Sequence, residues 1–153
     1  MNRLILYLLV SVFFISACND HLKIEKNGDP QGYADSQFVG TWKITAMNSD
    51  VAWDYDGNGT METNIFATLS TCKQDNLYTF VGNKTGTFKF DCSLTKDGSW
   101  EIISTKYLQY TPLGLSPESE TVISMTSVQF KSTLAITLSN GQPATITKTW
   151  TRQ

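Results

Sequence analysis

The sequence predicts an all-β fold: an eight-stranded antiparallel up-and-down barrel that follows a signal peptide and a flexible tether. Three observations support this prediction. The first 17 residues have the pattern of an export signal, the chain from Phe38 onward alternates between apolar and polar residues, and Gly, Asn and Asp separate the alternating runs. An apolar period of two residues is typical of a strand with one buried face. The 153 residues suffice for one domain.

The N-terminus predicts export and lipidation. A short positive region, Met1-Asn2-Arg3, precedes the apolar run Leu4–Ile15, which is shorter than the roughly 20 apolar residues that cross a bilayer. Ile15-Ser16-Ala17-Cys18 resembles the bacterial lipobox. This resemblance implies that residues 1–17 are removed and that Cys18 carries acyl chains, which insert into a membrane. The alternative is a secreted protein in which Cys18 is incidental.

Residues 18–37 are predicted to be a lipidated N-terminus and a tether. Asn19–Gln37 is polar, has no apolar period and contains Gly28 and Pro30. The single histidine, His21, lies in this segment and is expected to be solvated. The barrel domain is then predicted to cover residues 38–153.

The barrel is predicted to contain eight strands. They are Phe38–Met47, Leu77–Val81, Thr85–Asp91, Ser99–Ser104, Tyr107–Thr111, Thr121–Thr126, Ser132–Leu138 and Ala144–Thr151. Turn residues separate several of them, at Gly82-Asn83-Lys84, Lys96-Asp97-Gly98 and Asn140-Gly141. A short helix is predicted over Ile65–Thr71.

Alternation also predicts which side chains face the interior. They are Trp42, Ile44, Tyr78, Phe80, Phe88, Phe90, Trp100, Ile102, Leu108, Tyr110, Ile123, Met125, Leu134, Ile136, Leu138, Ile146 and Trp150. The opposite face is mainly polar. A sheet with one apolar face must close on itself or pack against a second sheet. Eight sequential antiparallel strands close readily, and closure removes the exposed edges.

The predicted first strand carries a family motif. Gly40-Thr41-Trp42 resembles the G-x-W motif of lipocalins. The order of this motif, an Asp-rich loop, Cys72, Cys92 and a second Gly-x-Trp is similar to that of small lipocalin-like lipoproteins of bacterial outer membranes. The resemblance covers residues 38–152. It implies a lipocalin-like barrel in which Arg152 lies over the Trp42 ring at the closed end, as a cation–π contact.

Cys72 and Cys92 are the two cysteines of the predicted domain, and an exported protein would oxidise them. A disulfide between them would close a loop of about 20 residues, which stabilises a fold by about 3 kcal/mol in the chain-entropy model. The alternative is a pair of buried free thiols.

The loop Asp54–Glu62 resembles the first nine positions of an EF-hand calcium loop, with Gly59 at the sharp turn. The candidate ligands are Asp54, Asp56, Asn58, Thr60 through its carbonyl, and Glu62. Ile65 stands where such a loop has its last, bidentate glutamate. Calcium, in a structural role, is therefore the candidate cofactor. The alternative is a solvated turn.

Charge and composition disfavour two classes of function, nucleic-acid binding and catalysis. A formal net charge of −2 disfavours nucleic acid, which requires a basic surface. The predicted domain lacks histidine, so it has no Ser-His or Cys-His pair, and we expect no enzyme activity. The predicted function is a lipid-anchored protein of the cell envelope that binds a small apolar ligand, and its predicted location is the outer membrane, at the periplasmic face or the cell surface. The alternative is an interaction module whose filled barrel docks an envelope protein.

Overall fold

The computed structural model describes residues 32–153, so the signal peptide, Cys18 and most of the predicted tether lie outside the described residues. The elements are α1 (Asp35–Phe38), β1 (Gly40–Trp53), β2 (Glu62–Asn64), α2 (Ile65–Thr68), α3 (Thr71–Gln74), β3 (Leu77–Phe80), β4 (Thr85–Phe90), β5 (Leu94–Ile103), β6 (Tyr107–Pro112), β7 (Glu118–Met125), β8 (Gln129–Thr137) and β9 (Pro143–Arg152). Within residues 32–153, every helix is too short to span a membrane.

Eight of these strands close into an antiparallel barrel. Strands β3 to β9 pair in chain order, and β1 pairs with both β3 and β9, which completes the ring. Strand β2 is not part of the ring. It pairs with the C-terminal half of β1, with Asn64 opposite Asn48. The predicted eight-stranded up-and-down barrel is therefore confirmed. Closure gives each strand of the ring two neighbours, so the ring has no free edge.

The two ends of the barrel differ. At the closed end lie α1, the turns 81–84, 104–106 and 126–128, and the end of β9. The backbone N–H of Tyr33 donates to the carbonyl of Thr105 at 2.6 Å, and Asp35 pairs with Lys84. The end of the predicted tether thus belongs to the closed end. We call the opposite end the mouth; it is formed by residues 54–76 and the turns 91–93, 113–117 and 138–142.

The interior changes in character along the barrel. Toward the closed end it is filled by aromatic side chains: Phe38, Trp42, Tyr78, Phe80, Phe88, Trp100, Tyr110, Phe130 and Trp150. Contacting rings have centroids 4.8 to 6.5 Å apart, mostly edge to face. Toward the mouth the buried side chains are aliphatic, and both aliphatic residues and the partly buried Trp53, Tyr55 and Phe66 pack against them. There Met47 and Ile146 pack against Ile65 of α2.

Two β-bulges change the predicted alternation. In β1, Thr45 is an extra residue opposite β9. In β7, Ile123 is an extra residue, because Val122 pairs with Ser132 and Ser124 with Lys131. Val122 is fully buried, whereas Ile123 is 46% exposed. The inward assignment of Ile123 is therefore wrong, since a bulge shifts the alternation by one residue.

Strand β5 extends further than predicted. Lys96-Asp97-Gly98 is not a turn: Asp97 pairs with Thr87, and Gly98 lies between Gly86 and Pro112. Gly98 is required because a side chain there would collide with the carbonyl of Thr111. Pairing on both sides has overridden the local turn preference of these residues. The predicted helix over Ile65–Thr71 is likewise two short helices, α2 and α3.

Candidate functional site

The G-T-W motif lies at the closed end. Gly40 has a φ of 134°, and a Cβ there would collide with the guanidinium of Arg152, so only glycine fits. Trp42 is fully buried, and its indole N–H donates to the carbonyl of Phe38 at 2.6 Å. The guanidinium carbon of Arg152 lies 4.3 Å from the centroid of the Trp42 ring, within cation–π range. The structure thus brings Trp42 and Arg152 together.

Arg152 also joins three parts of the closed end by hydrogen bonds. Its Nη1 donates to the carbonyl of Val39 at 2.6 Å and its Nη2 to that of Gln37 at 2.9 Å. Its Nε donates to the carbonyl of Ser127 at 2.8 Å. Because a guanidinium presents its donors in a fixed planar fork, Arg152 holds α1 against the turn between β7 and β8. Trp42 and Arg152 thus close this end of the barrel.

The disulfide predicted between Cys72 and Cys92 is confirmed, with a Cα separation of 4.7 Å that is usual for a disulfide. Cys72 belongs to α3, and Cys92 lies in the turn between β4 and β5. In the same region, the backbone N–H of Asp91 donates to Oδ1 of Asn76 at 2.9 Å. The long segment between β1 and β3 is therefore fixed to the rim of the mouth.

The Asp-rich loop joins β1 to β2 beside the mouth. Carboxylate oxygens of Asp54, Asp56 and Glu62 lie within 4.8 Å of one another. The two oxygens of Asp54 accept from backbone N–H groups of the loop at 2.9 Å, one of them that of Asn58. Oδ1 of Asn58 accepts from the N–H of Thr60 at 2.7 Å. These bonds are those of a polar turn, and calcium binding stays a prediction.

We expect millimolar calcium to raise the melting temperature, because an ion that binds the folded state stabilises it. Since Ile65 replaces the bidentate glutamate, the expected dissociation constant is about 10⁻⁴–10⁻³ M. Asp56→Ala should abolish the increase, and the control Asp97→Asn, on β5 outside the loop, should retain it. Differential scanning fluorimetry measures both. An unchanged melting temperature of the natural chain would mean that the loop is only a turn.

A network of buried polar side chains lies on the interior wall. Glu120 and Lys148 form an ion pair and are 1% and 6% exposed. The other carboxylate oxygen of Glu120 accepts from the hydroxyl of Ser132. Ser132 Oγ in turn accepts from the indole N–H of Trp150 at 2.8 Å. Strands β7, β8 and β9 are thus linked by polar contacts inside the barrel.

Tyr110 and Glu118 extend this network toward the mouth. The hydroxyl of Tyr110 lies 2.6 Å from Oε2 of Glu118 and 2.9 Å from Oε1 of Glu120. Nζ of Lys148 lies 3.4 Å from the same Glu118 oxygen. Glu118 is the first residue of β7, and its side chain is 52% exposed. The network therefore begins beside the aromatic cluster and ends in solvent at the mouth. We call Tyr110, Glu118, Glu120, Ser132 and Lys148 the mouth network.

Burial and nearby charges determine the protonation states of Tyr110 and Lys148 in the mouth network, and of the neighbouring Tyr78. Burial and the neighbouring carboxylates hold the pKa of Tyr110 well above its usual value, and burial raises the pKa of Tyr78 to about 12. Burial alone would lower the pKa of Lys148, but Glu120 and Glu118 outweigh it and raise this pKa overall. Both phenols are therefore neutral at pH 7, and Lys148 is a charged hydrogen-bond donor rather than a nucleophile.

The sequence analysis missed the mouth network, although a signal for it exists. Lys148 lies between Ile146 and Trp150 at alternate positions, and Glu120 precedes Val122 at the same spacing. Strict alternation thus places Lys148 on the inner face. Glu120 follows it there only if Val122 rather than Ile123 faces inward, and this depends on the bulge in β7. Charged residues are rarely buried unless paired, and the sequence does not reveal a partner on another strand.

No protein-family model matches this chain, and no curated protein matches it. Among solved structures, it is similar to insecticyanin from the tobacco hornworm Manduca sexta, with a TM-score of 0.50, 12% identity and coverage of 81% of this chain and 67% of that chain. It is also similar to bovine odorant-binding protein in complex with undecanal, with a TM-score of 0.43, 12% identity and coverage of 82% and 77%. At this identity the likeness to insecticyanin shows the fold alone. The closed eight-stranded barrel therefore has a lipocalin-like fold.

Proposed function

We propose that this chain is a lipid-anchored protein of the cell envelope that binds a small, largely apolar ligand at the mouth of its barrel. The observation that carries this proposal is the change of the interior from packed aromatic rings to partly buried aliphatic side chains. Ile44, Leu134 and Ile136 surround the cluster of Met47 and Ile146 and are themselves only partly buried. An eight-stranded barrel holds one small ligand at most, and here that ligand would occupy the mouth half.

Exposed apolar side chains at the rim of the mouth support this proposal. Met61 is 69% exposed, Leu113 is 74% exposed and Leu115 is 49% exposed. These residues lie in the segment between β1 and β2 and in the turn between β6 and β7. Apolar side chains exposed at an entrance fit a binding surface for an apolar ligand.

Ligand binding can be tested with N-phenyl-1-naphthylamine, a neutral probe that becomes fluorescent in apolar surroundings. We expect saturable binding to the full-length protein. Ile136→Trp, near the mouth end of β8, should weaken binding by about tenfold or more because it fills the space that the probe needs. The control Val81→Trp, in an exposed turn at the closed end, should leave binding unchanged. Equal binding by both variants would place the probe elsewhere.

A second candidate function is a filled barrel that docks another envelope protein. The fully buried rings of Trp42, Phe130 and Trp150 favour it, since they leave the closed half without space for a ligand. The absence of saturable probe binding to the natural chain would favour this function over the first.

The lipid anchor can be tested with labelled palmitate in a bacterial host. Cys18→Ala should abolish incorporation and leave the signal peptide uncut, because the thiol of Cys18 is the proposed attachment point. The control, in which Cys72 and Cys92 are both changed to serine, should still incorporate label. Equal labelling of Cys18→Ala and the natural chain would contradict the proposed anchor.

A further inference from the structure

We propose that the mouth selects a ligand that carries a protonated amine beside its apolar body, and that Glu118 receives this ammonium group. The inference rests on the proposed function, because it names the chemistry of a ligand at the same mouth. A binding site of this class combines an apolar wall with a few fixed polar groups that orient the ligand. Here the mouth network supplies the polar groups.

The charge balance of the mouth network favours a cation. Glu118 and Glu120 face one positive charge, that of Lys148, so the three side chains together have one excess negative charge. An ammonium group would neutralise this excess. A carboxylate would add a second negative charge, and it would have to compete with Glu118 for Lys148.

The geometry leaves one atom for the ligand. Within residues 32–153, the side-chain hydrogen bonds to Glu118 reach its Oε2, from Tyr110 and from Lys148. The same carboxylate has a second oxygen, and its side chain is 52% exposed at the start of β7. An ammonium group could therefore bind that oxygen by a charge-assisted hydrogen bond without displacing a contact of the network.

The other charges of the network cannot take this role. The side chain of Glu120 is fully buried, and that of Lys148 is 8% exposed. The carboxylate of Glu118 is held through its Oε2 by the hydroxyl of Tyr110 and by Nζ of Lys148. Since Glu118 is already held in one position, ligand binding loses little side-chain entropy there. The width of an eight-stranded barrel restricts the ligand to one small molecule.

Three probes with the same alkyl chain test the inference: dodecylammonium, dodecanol and dodecanoate. Each is titrated at pH 7, below its micelle concentration, against the full-length lipoprotein in nanodiscs, and displacement of N-phenyl-1-naphthylamine is measured. Empty nanodiscs correct for partition into lipid. We expect dodecylammonium to have a dissociation constant about tenfold lower than that of dodecanol, and dodecanoate to bind most weakly.

Glu118→Gln provides the decisive comparison, since it keeps the shape of the side chain and removes its charge. This variant should lose the preference for dodecylammonium and keep the affinity for dodecanol. The control Glu101→Gln, at an exposed position of β5, should bind all three probes like the natural chain. Melting temperatures show that each variant is folded.

The possible failures are distinguishable. If N-phenyl-1-naphthylamine itself does not bind saturably, the proposed function fails and the inference fails with it. If the reporter binds and none of the three probes displaces it, the inference alone is overturned. If the natural chain binds dodecanol or dodecanoate as tightly as dodecylammonium, the inference alone is overturned. It is also overturned if Glu118→Gln retains the preference for the amine.

Discussion

Lys148→Met should lower the free energy of unfolding by about 3–5 kcal/mol, because it leaves a buried carboxylate without its cationic partner. Glu120 is 1% exposed, and its side chain pairs with Lys148. Methionine has nearly the length of lysine, so the loss comes from charge rather than from volume. Urea denaturation followed by tryptophan fluorescence measures it, since Trp150 lies beside the network.

A second substitution separates the ion pair from simple packing. Adding Glu120→Gln to Lys148→Met should restore most of the lost stability, because a neutral amide needs no counter-charge. Its oxygen can accept from one of the two hydroxyls of Ser132 and Tyr110, and its NH2 can donate to the other. A loss below about 1 kcal/mol for Lys148→Met would contradict the buried ion pair, since that value is typical of exposed pairs.

Trp42→Ala should also destabilise the barrel by about 3–5 kcal/mol, the usual cost of removing a large buried aromatic side chain. Trp42 is fully buried, and its ring lies 4.8 Å from that of Phe130. The substitution also removes the ring beneath Arg152 and the hydrogen bond to Phe38. Such a loss is a large part of the 5–15 kcal/mol that stabilises a typical domain.

Two further variants separate the contribution of the hydrogen bond to Phe38 from that of the Arg152 guanidinium. Trp42→Phe keeps a ring for Arg152 but loses the donor to Phe38, so its cost should be smaller than that of Trp42→Ala. Arg152→Lys keeps the positive charge and loses the planar fork that binds three carbonyls, so it should still be destabilising. Trp53 is partly buried near the mouth. If Trp53→Ala lowers the free energy of unfolding as much as Trp42→Ala does, the contacts at the closed end do not stabilise the barrel more than those near the mouth.

Local patterns predict most of this fold and part of the site. The strand predicted over Tyr107–Thr111 ends only one residue before β6 does. The prediction is this close because turn residues flank a short alternating run. The pairing of Cys72 and Cys92 could be predicted from residue type and from the predicted export signal. These features could be predicted because residues within the same short segment determine them.

The features that escape prediction depend on contacts between distant strands. The bulge at Ile123 exists because of how β7 pairs with β8. The path of β5 through Lys96-Asp97-Gly98 depends on the neighbouring strands β4 and β6. The burial of Lys148 depends on Glu120, 28 residues away in sequence. A single charged residue gives no local sign that its partner lies across the barrel.

The position of Tyr33 and α1 determines how an anchored barrel would be oriented. They lie at the closed end, so the chain enters the domain from the pole opposite the mouth. With a lipid on Cys18, the roughly 14 residues up to Gly32 would span at most about 50 Å when fully extended. When the lipid and the domain lie close together, the closed end would face the membrane and the mouth would face the aqueous compartment. A protein held this way would exchange its cargo with soluble donors and acceptors instead of extracting it sideways from the bilayer.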